Sequence, residues 1–337
     1  MSRISIIMPA YNSENSITKS IQSVLNQSFQ DFELIIVDDG STDETLKLAN
    51  LFASKDDRIK IISIANNGVS NARNTGIKYV QSKYLVFLDS DDYYEPRALE
   101  IIMNNIKEDT DLLIFNRFTE YKDGKFLSNK AIEECTYSSK EDIRNHAIIY
   151  INNSLLNVPW NKVYKKDIID NNNIVFPNDI DIAEDLIFNI NYIKDINNMS
   201  VINDKLIHYV IEKNKGLSAK FRENRLDIRL GIYHEFVALY KYWGLYSKEI
   251  ENSLFEIVIK DVMAYFMDFY KIGCVFTKTV KISKIHDTLK IQEVKVALEK
   301  IKGEGITATF IKAVLNTNNA ALILFTAKLL NSRRKYL

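Results

Sequence analysis

The first 115 residues alternate short apolar runs with amphipathic stretches. Ile4 to Met8 is an Ile-rich run with the length and composition of a buried strand. Ile17, Ile21, Val24 and Leu25 then recur at helical spacing, and Ser13 stands where a helix cap is expected. Glu33 to Val37 predicts a second strand, closed by Asp38-Asp39-Gly40-Ser41, and Thr42 or Asp43 is expected to cap a helix running to about Phe52. Ile59 to Ile64, Tyr84 to Leu88 and Leu112 to Phe115 predict three more strands. Ser70 to Val80 reads as a helix, and Pro96 suits the first turn of another. Strands alternating with helices imply an α/β fold with a mostly parallel sheet covered on both faces. After Asn116 the alternation fades into a mixed region holding Trp160 and Glu184-Asp185, as far as about Ser218. From Phe221 the pattern is helical and aromatic-rich, with one break at Gly303-Glu304-Gly305. The expected organisation is one α/β domain over 1–220, in halves 1–115 and 116–220, and a helical region over 221–337.

Composition narrows the classes. A chain of 337 residues, 46% apolar and 26% charged, has a real core, so collagen-like, disordered and small disulfide-stapled proteins are excluded. Cys135 and Cys274 lie far apart with no metal-ligand spacing, which suits a reducing compartment. Lys plus Arg and Asp plus Glu both total 44, and a balanced charge argues against nucleic acid as a partner. The balance hides an asymmetry. From Lys271 onward basic residues outnumber acidic ones by nine, so the preceding chain is acidic by as much. No leader-like segment and no run of about 18 apolar residues is seen, so the expected location is cytoplasmic. The basic tail leaves three readings open: a packed final helix, peripheral contact with an anionic membrane face, or a homo-oligomer formed through the Ala320–Leu330 stripe.

In open α/β sheets ligands bind beyond the carboxyl ends of the strands. Four polar clusters fall there: Tyr11-Asn12, Asp38-Asp39, Asn66-Asn67 and Asp89-Ser90-Asp91-Asp92. No G-x-G-x-x-G follows the first strand and no G-x-x-x-x-G-K-[ST] occurs, so no glycine-rich loop cradles phosphate. The edge offers carboxylates instead. Asp89 and Asp91, alternate residues after a buried strand, share a side and make a hard-oxygen site for Mg²⁺ or Mn²⁺. Asp92 serves equally well as a cap for the helix at Pro96.

The segments Ile4–Asn12, Phe32–Asp43 and Asn66–Gly76, with Asp89-Ser90-Asp91 as a DXD motif, resemble the family 2 glycosyltransferases of GT-A fold. The resemblance covers residues 1–115 closely and 158–218 more loosely. It implies a Rossmann-like, nucleotide-sugar-binding half over 1–115 and an acceptor half over 116–220. Pro9, Tyr11, Asn12 and Asp39 would hold the base and ribose of a nucleoside diphosphate sugar, Asp39 accepting from uracil. Asn66 and Arg73 would line the nucleotide site, and the guanidinium fork of Arg73 suits phosphate. Asp89, Ser90 and Asp91 would meet ribose and the divalent ion, with Asp91 and Asp89 as metal ligands. Glu184-Asp185 matches the family's acidic pair on the acceptor side, with Asp185 as general base; the plainer reading is a helix start favoured by the macrodipole. Trp160 and Lys162 belong to a segment resembling the family's acceptor side, where Trp160 either stacks on a sugar or fills the core. His208-Tyr209 and Gly216-Leu217-Ser218 resemble its closing segment.

The processive members carry Gln-x-x-Arg-Trp and membrane spans, and neither occurs here, so one sugar per encounter is expected. The resulting expectation is an inverting, metal-dependent transferase taking a sugar from a UDP-linked donor to a glycan or lipid-linked glycan of a bacterial surface polymer. Two other readings stand beside it: a non-catalytic glycan-binding or scaffold member of the fold, and a sugar nucleotidyltransferase.

Overall fold

The computed structural model describes residues 2–127, 131–180, 182–212, 220–301 and 306–334. The chain divides into two compact units, residues 1–146 with 155–211, and residues 147–154 with 212–337. Residues 147–154, which the sequence pattern assigns to the first region, group with the second unit, so the division falls within the helix Lys140–Asn152.

The first unit follows the order β1 (Ile4–Ala10), α1 (Ile17–Leu25), β2 (Phe32–Asp38), α2 (Thr45–Ala53), β3 (Ile59–Ser63), α3 (Val69–Tyr79), β4 (Tyr84–Phe87), β5 (Tyr93–Tyr94), α4 (Ala98–Asn105) and β6 (Leu112–Tyr121). It continues with β7 (Phe126–Leu127), β8 (Cys135–Tyr137), α5 (Lys140–Asn152), β9 (Lys162–Lys165), α6 (Lys166–Asn171), α7 (Glu184–Ile193) and β10 (Met199–Ile211). The described strands form one sheet of ten, in the order β3-β2-β1-β4-β9-β6-β10-β5, with β7 beside β6 and β8 beside β10. The run β3-β2-β1-β4 is parallel, as is β6 with β10, while β9 lies antiparallel between β4 and β6. All seven residues of β1 and of β2 are buried, as covered faces require of parallel strands.

The strand order reverses at β1. The chain moves outward to β2 and β3, then returns to place β4 on the other side. β1 stays paired with β2 through Ala10 but with β4 only through Ile7. Pro9 has no N–H with which to extend the second ladder, so the strands part there and the crevice opens. Helix α3 packs closely on β1 at Gly76, where an added Cβ would lie 2.4 Å from Ile7 Cγ2. Gly76→Val is expected to destabilise the unit by about 1–3 kcal/mol through overpacking, read as a lower denaturant midpoint.

Some boundaries differ from the local pattern. Ser13 does not cap α1: the helix begins at Ile17, and Ser13 gives its carbonyl to Ile17 N–H while its hydroxyl pairs with Ser90 Oγ at 2.7 Å. The left-handed backbone of Asn12 (φ 46°) precedes it in this turn. Pro96 stands before α4, outside its first turn, its carbonyl accepting from Ser28 N–H. Asp43 accepts from Thr45 N–H at 3.0 Å, but helical geometry starts only after Glu44. β6 runs six residues beyond Phe115 because β10, a partner 78 or more residues later, continues the ladder to Tyr121.

The second unit contains α8 (Arg225–Tyr242), α9 (Lys248–Asp268), α10 (Lys278–Lys290), α11 (Gln292–Lys300), α12 (Ile306–Asn316) and α13 (Ala320–Arg334). Its core gathers on α9, through Phe255, Ile259, Val262 and Phe266, against Leu226, Ile285, Val294 and Ile323. Ser247 and Thr277 cap α9 and α10 with side-chain acceptors. On α13, Ile323, Leu324 and Ala327 are buried, whereas Leu322, Phe325 and Leu329 are exposed. Among the described residues no helix is long and apolar enough to cross a membrane. The break expected at 303–305 and the segment 216–218 lie outside the described residues.

Candidate active site

The four polar clusters converge at the carboxyl edge of β1 to β4. Asp39 follows β2 and is buried, and each of its oxygens accepts a backbone N–H at 2.9 Å, from Asn67 and from Gly68. Burial raises its pKa, partly offset by those two bonds. Asn66 donates to the carbonyl of Asp39 at 3.0 Å, so the loops after β2 and β3 are laced together. Gly40 is held in the same contact, with φ +71° and space for no side chain: a Cβ would lie 2.8 Å from Asn66 N. Asp38 sits one residue deeper, where Oδ2 accepts from Ser41 N–H and Ser63 Oγ. Its position is that of a loop brace.

The β1 loop closes over this pair. Asn12 accepts from Thr42 N–H at 2.8 Å, and Asn12 N–H donates to Ser41 Oγ at 3.0 Å. Tyr11 is 51% exposed beside them, an available aromatic face at the mouth. Ser90 is bound on both sides, its hydroxyl to Ser13 and its carbonyl to Ser20 Oγ at 2.8 Å. Those bonds fix the loop after β4, on which Asp91 is exposed and Asp89 partly so. Asp92 turns inward instead. It is buried, accepts from Val210 N–H at 2.8 Å, and has its pKa pushed well up by burial and by the charges of Asp91 and Asp89. It ties the β4 loop to β10.

Arg73 lies at the centre. It projects from α3, is 4% exposed, donates from Nη1 to Asp185 at 2.7 Å and from Nη2 to Asp89 at 3.0 Å, and has Glu184 Oε1 at 3.8 Å. Burial alone would lower its pKa; the three carboxylates outweigh that and raise it. Asp185 responds to the same setting. Burial raises its pKa to about 7, helped by Glu184 and Asp89 and opposed by Arg73 and Lys162. Its Oδ2 makes no hydrogen bond among the described residues. Glu184 and Asp185 open α7, after an N-cap at Ala183 with a left-handed backbone, φ 65°. A non-glycine residue there is strained.

Two expected acceptor-side residues are core residues in this fold. Trp160 is 3% exposed, stacked on Tyr209 at 5.2 Å with the Arg117 guanidinium 5.4 Å from its ring. Lys162 is fully buried, and Nζ donates to Leu155 O, Val158 O and Asn161 Oδ1 at 2.5–2.6 Å. Burial pushes its pKa down, yet three acceptors need three donors, which only the ammonium supplies. His208 lies between Tyr93 and Phe118, at 4.2 and 4.7 Å, and bonds Glu95.

The residue types at Asp89 and Asp91 fit a hard divalent cation. Both are oxygen donors on one short loop, and Asp89 keeps its second oxygen clear of Arg73. Among the described residues no three or more His, Cys, Asp or Glu are grouped to hold a metal. An ion held by this pair would therefore draw its remaining oxygens from phosphate and water, the habit of Mg²⁺ and Mn²⁺.

Solved structures share this architecture. S. aureus TarS 1-349 in complex with UDP-GlcNAc superposes with a TM-score of 0.63 at 22% identity, over 99% of this chain and 92% of that one. The fold is that of a GT-A glycosyltransferase. Residues 5–171 match the model of glycosyl transferase family 2. The poly(ribitol-phosphate) beta-N-acetylglucosaminyltransferase TarP of Staphylococcus aureus (strain N315) is 35% identical over 215 residues, 63% of either chain. The uncharacterized glycosyltransferase EpsJ of Bacillus subtilis (strain 168) is 27% identical over 243 residues, 72% of this chain and 71% of that one. Residues 5–171 are a family 2 glycosyltransferase domain, and the chain is an enzyme of that class.

Proposed function

We propose that this enzyme transfers one sugar from UDP-N-acetylglucosamine or a similar UDP-sugar to a hydroxyl of a cell-wall or other surface glycan, with inversion. The observation that carries the reading is Arg73, which joins Asp89 on the donor side to Asp185 on the acceptor side within 2.7–3.0 Å. The likeness to TarP and TarS supports the donor and the acceptor class.

In this mechanism Tyr11, Asn12 and Asp39 hold the nucleoside, and Asn66 keeps the Asp39 loop in place. Arg73, buried and bonded to both Asp89 and Asp185, sets those two carboxylates at the edge where the diphosphate would lie. Asp89 and Asp91 would hold Mn²⁺ or Mg²⁺, which supplies Lewis-acid stabilisation of charge on the departing diphosphate. Asp185 takes the proton of the acceptor hydroxyl on Oδ2 as that oxygen attacks the anomeric carbon, opposite the leaving group. Its raised pKa suits a base working near neutral pH. Glu184 adjoins it and keeps its proton affinity high. A donor screen that measures released UDP in the presence of glycan acceptors tests the reading; released pyrophosphate would replace it with nucleotidyl transfer.

The second unit adds a location. Leu322, Phe325 and Leu329 line the exposed face of α13, with Lys328 beside them, in a region with nine more basic than acidic residues. Apolar side chains among basic ones suit the surface of an anionic bilayer, where each cation adds about 1 kcal/mol. Phe325→Glu is expected to weaken binding to phosphatidylglycerol vesicles in sedimentation at least tenfold. Binding left unchanged, with a dimer turned into a monomer, would assign the face to self-association.

A further inference from the structure

Beneath Arg73 lies a contact that the mechanism does not use. Asn74, the next residue of α3, meets Phe176 as one strand residue meets another. Asn74 Nδ2 donates to Phe176 O at 2.8 Å, and Phe176 N–H donates to Asn74 Oδ1 at 2.8 Å. The partners are 102 residues apart. Both backbone groups of Phe176 are thus satisfied by one side chain in a segment outside regular secondary structure. The clamp presents the Phe176 ring. That ring is buried, stacks on Phe188 of α7 at 4.0 Å and 4°, and meets Phe87 of β4 edge-on at 5.3 Å. The Arg73 guanidinium lies 5.3 Å from the same ring. Phe188 stands three residues after Asp185 on the same helix.

We infer that Asn74 is a positioning residue: by clamping Phe176 it builds the floor that holds the Arg73 guanidinium between Asp89 and Asp185. This rests on the functional reading above and deepens it, since it says how donor and acceptor halves keep one register. The chemistry demands this residue type. The site needs one donor and one acceptor at the end of a short side chain, which an amide supplies. Aspartate offers two acceptors and would set a carboxylate against the Phe176 carbonyl. Alanine leaves a backbone N–H and C=O unpaired in a buried place. Arg73 meets its carboxylates through two separate nitrogens, so a tilt of the guanidinium loses one contact or the other.

The test uses the full chain with Asn74→Ala, Asn74→Asp and Phe176→Leu. Phe176→Leu keeps the clamp and removes the ring. Three quantities are read: UDP affinity by calorimetry, kcat and KM for transfer, and the ¹⁵N–¹H signals of the Arg73 guanidinium. Misplacing a reacting group by about 1 Å costs about 100-fold in rate, so kcat is expected to fall by roughly that factor in Asn74→Ala, with KM and UDP affinity changed less than threefold. Phe176→Leu should show the same split, more weakly. The wild-type guanidinium should give separate, slowly rotating Nη signals, and all three variants should merge them. A lower melting temperature with kcat and the Nη signals unchanged would make Asn74 a purely structural residue and overturn the inference. The guanidinium spectrum judges the clamp even if no transfer is found in the wild type, whereas an inactive wild type with a fixed guanidinium would overturn only the proposed reaction.

Discussion

Asp185→Asn is expected to lower turnover by about 10²–10⁴-fold, the usual worth of a positioned base, while leaving UDP affinity nearly as it was. The amide keeps the size of the carboxylate and can still accept from Arg73 Nη1, so the crevice should retain its shape. What it loses is the basic lone pair at Oδ2. The dependence on pH gives an independent check. A base works deprotonated, and burial has raised the pKa of Asp185 to about 7. Transfer by the wild type should therefore climb as pH rises through about 7 and level off above it. The residual rate of Asp185→Asn should lack that limb. Wild-type rates in the variant would remove Asp185 from the mechanism; a lost rate that keeps the limb would give the titration to another group.

The second large effect is at Asp91. Asp91→Ala should reduce metal-dependent transfer by at least about 100-fold, beyond the 10–100-fold that losing an outer partner of a metal ligand costs. The fold should survive, because Asp91 is exposed and the loop is fixed by its neighbours. Ser90 anchors it to α1 and the β1 loop, and Asp92 anchors it to β10. Manganese binding in the presence of UDP, followed by calorimetry, should weaken in parallel with rate. Full activity of the variant in excess chelator would rule out a divalent ion at this pair. Arg73 sharpens the contrast: its loss should raise the donor KM as well as reduce kcat, since the guanidinium touches both halves.

Much of this arrangement is legible along the chain. The apolar runs of β1 to β4 are short, Ile-rich and separated by helical periodicity, and a parallel sheet places the ends of such strands on one edge. The polar clusters at 11–12, 38–39, 66–67 and 89–92 therefore had to meet. Asp185 was visible as an acid at a helix start, and α7 does begin at Glu184. Residues that act through distant partners were not. Asn74 stands inside the same motif as Arg73, but Phe176 carries no local sign of its role. Trp160 looked equally suited to a sugar or to the core and Lys162 was expected on the acceptor side, and only packing placed the indole on Tyr209 and the ammonium among three oxygens.

The one-dimensional pattern by itself determined the α/β class, the order of the first strands and helices, and the edge on which acids collect. Those features follow from periodicity and from the rule that a covered parallel strand is apolar throughout. The folded chain alone decided that Arg73 spans Asp89 and Asp185, that β9 runs antiparallel between β4 and β6, and that a carboxyl group on α7 holds its proton up to about neutral pH. The reason is physical. Burial and the distance between charges set those properties, and both depend on residues more than a hundred positions apart that only the folded chain brings within three ångströms.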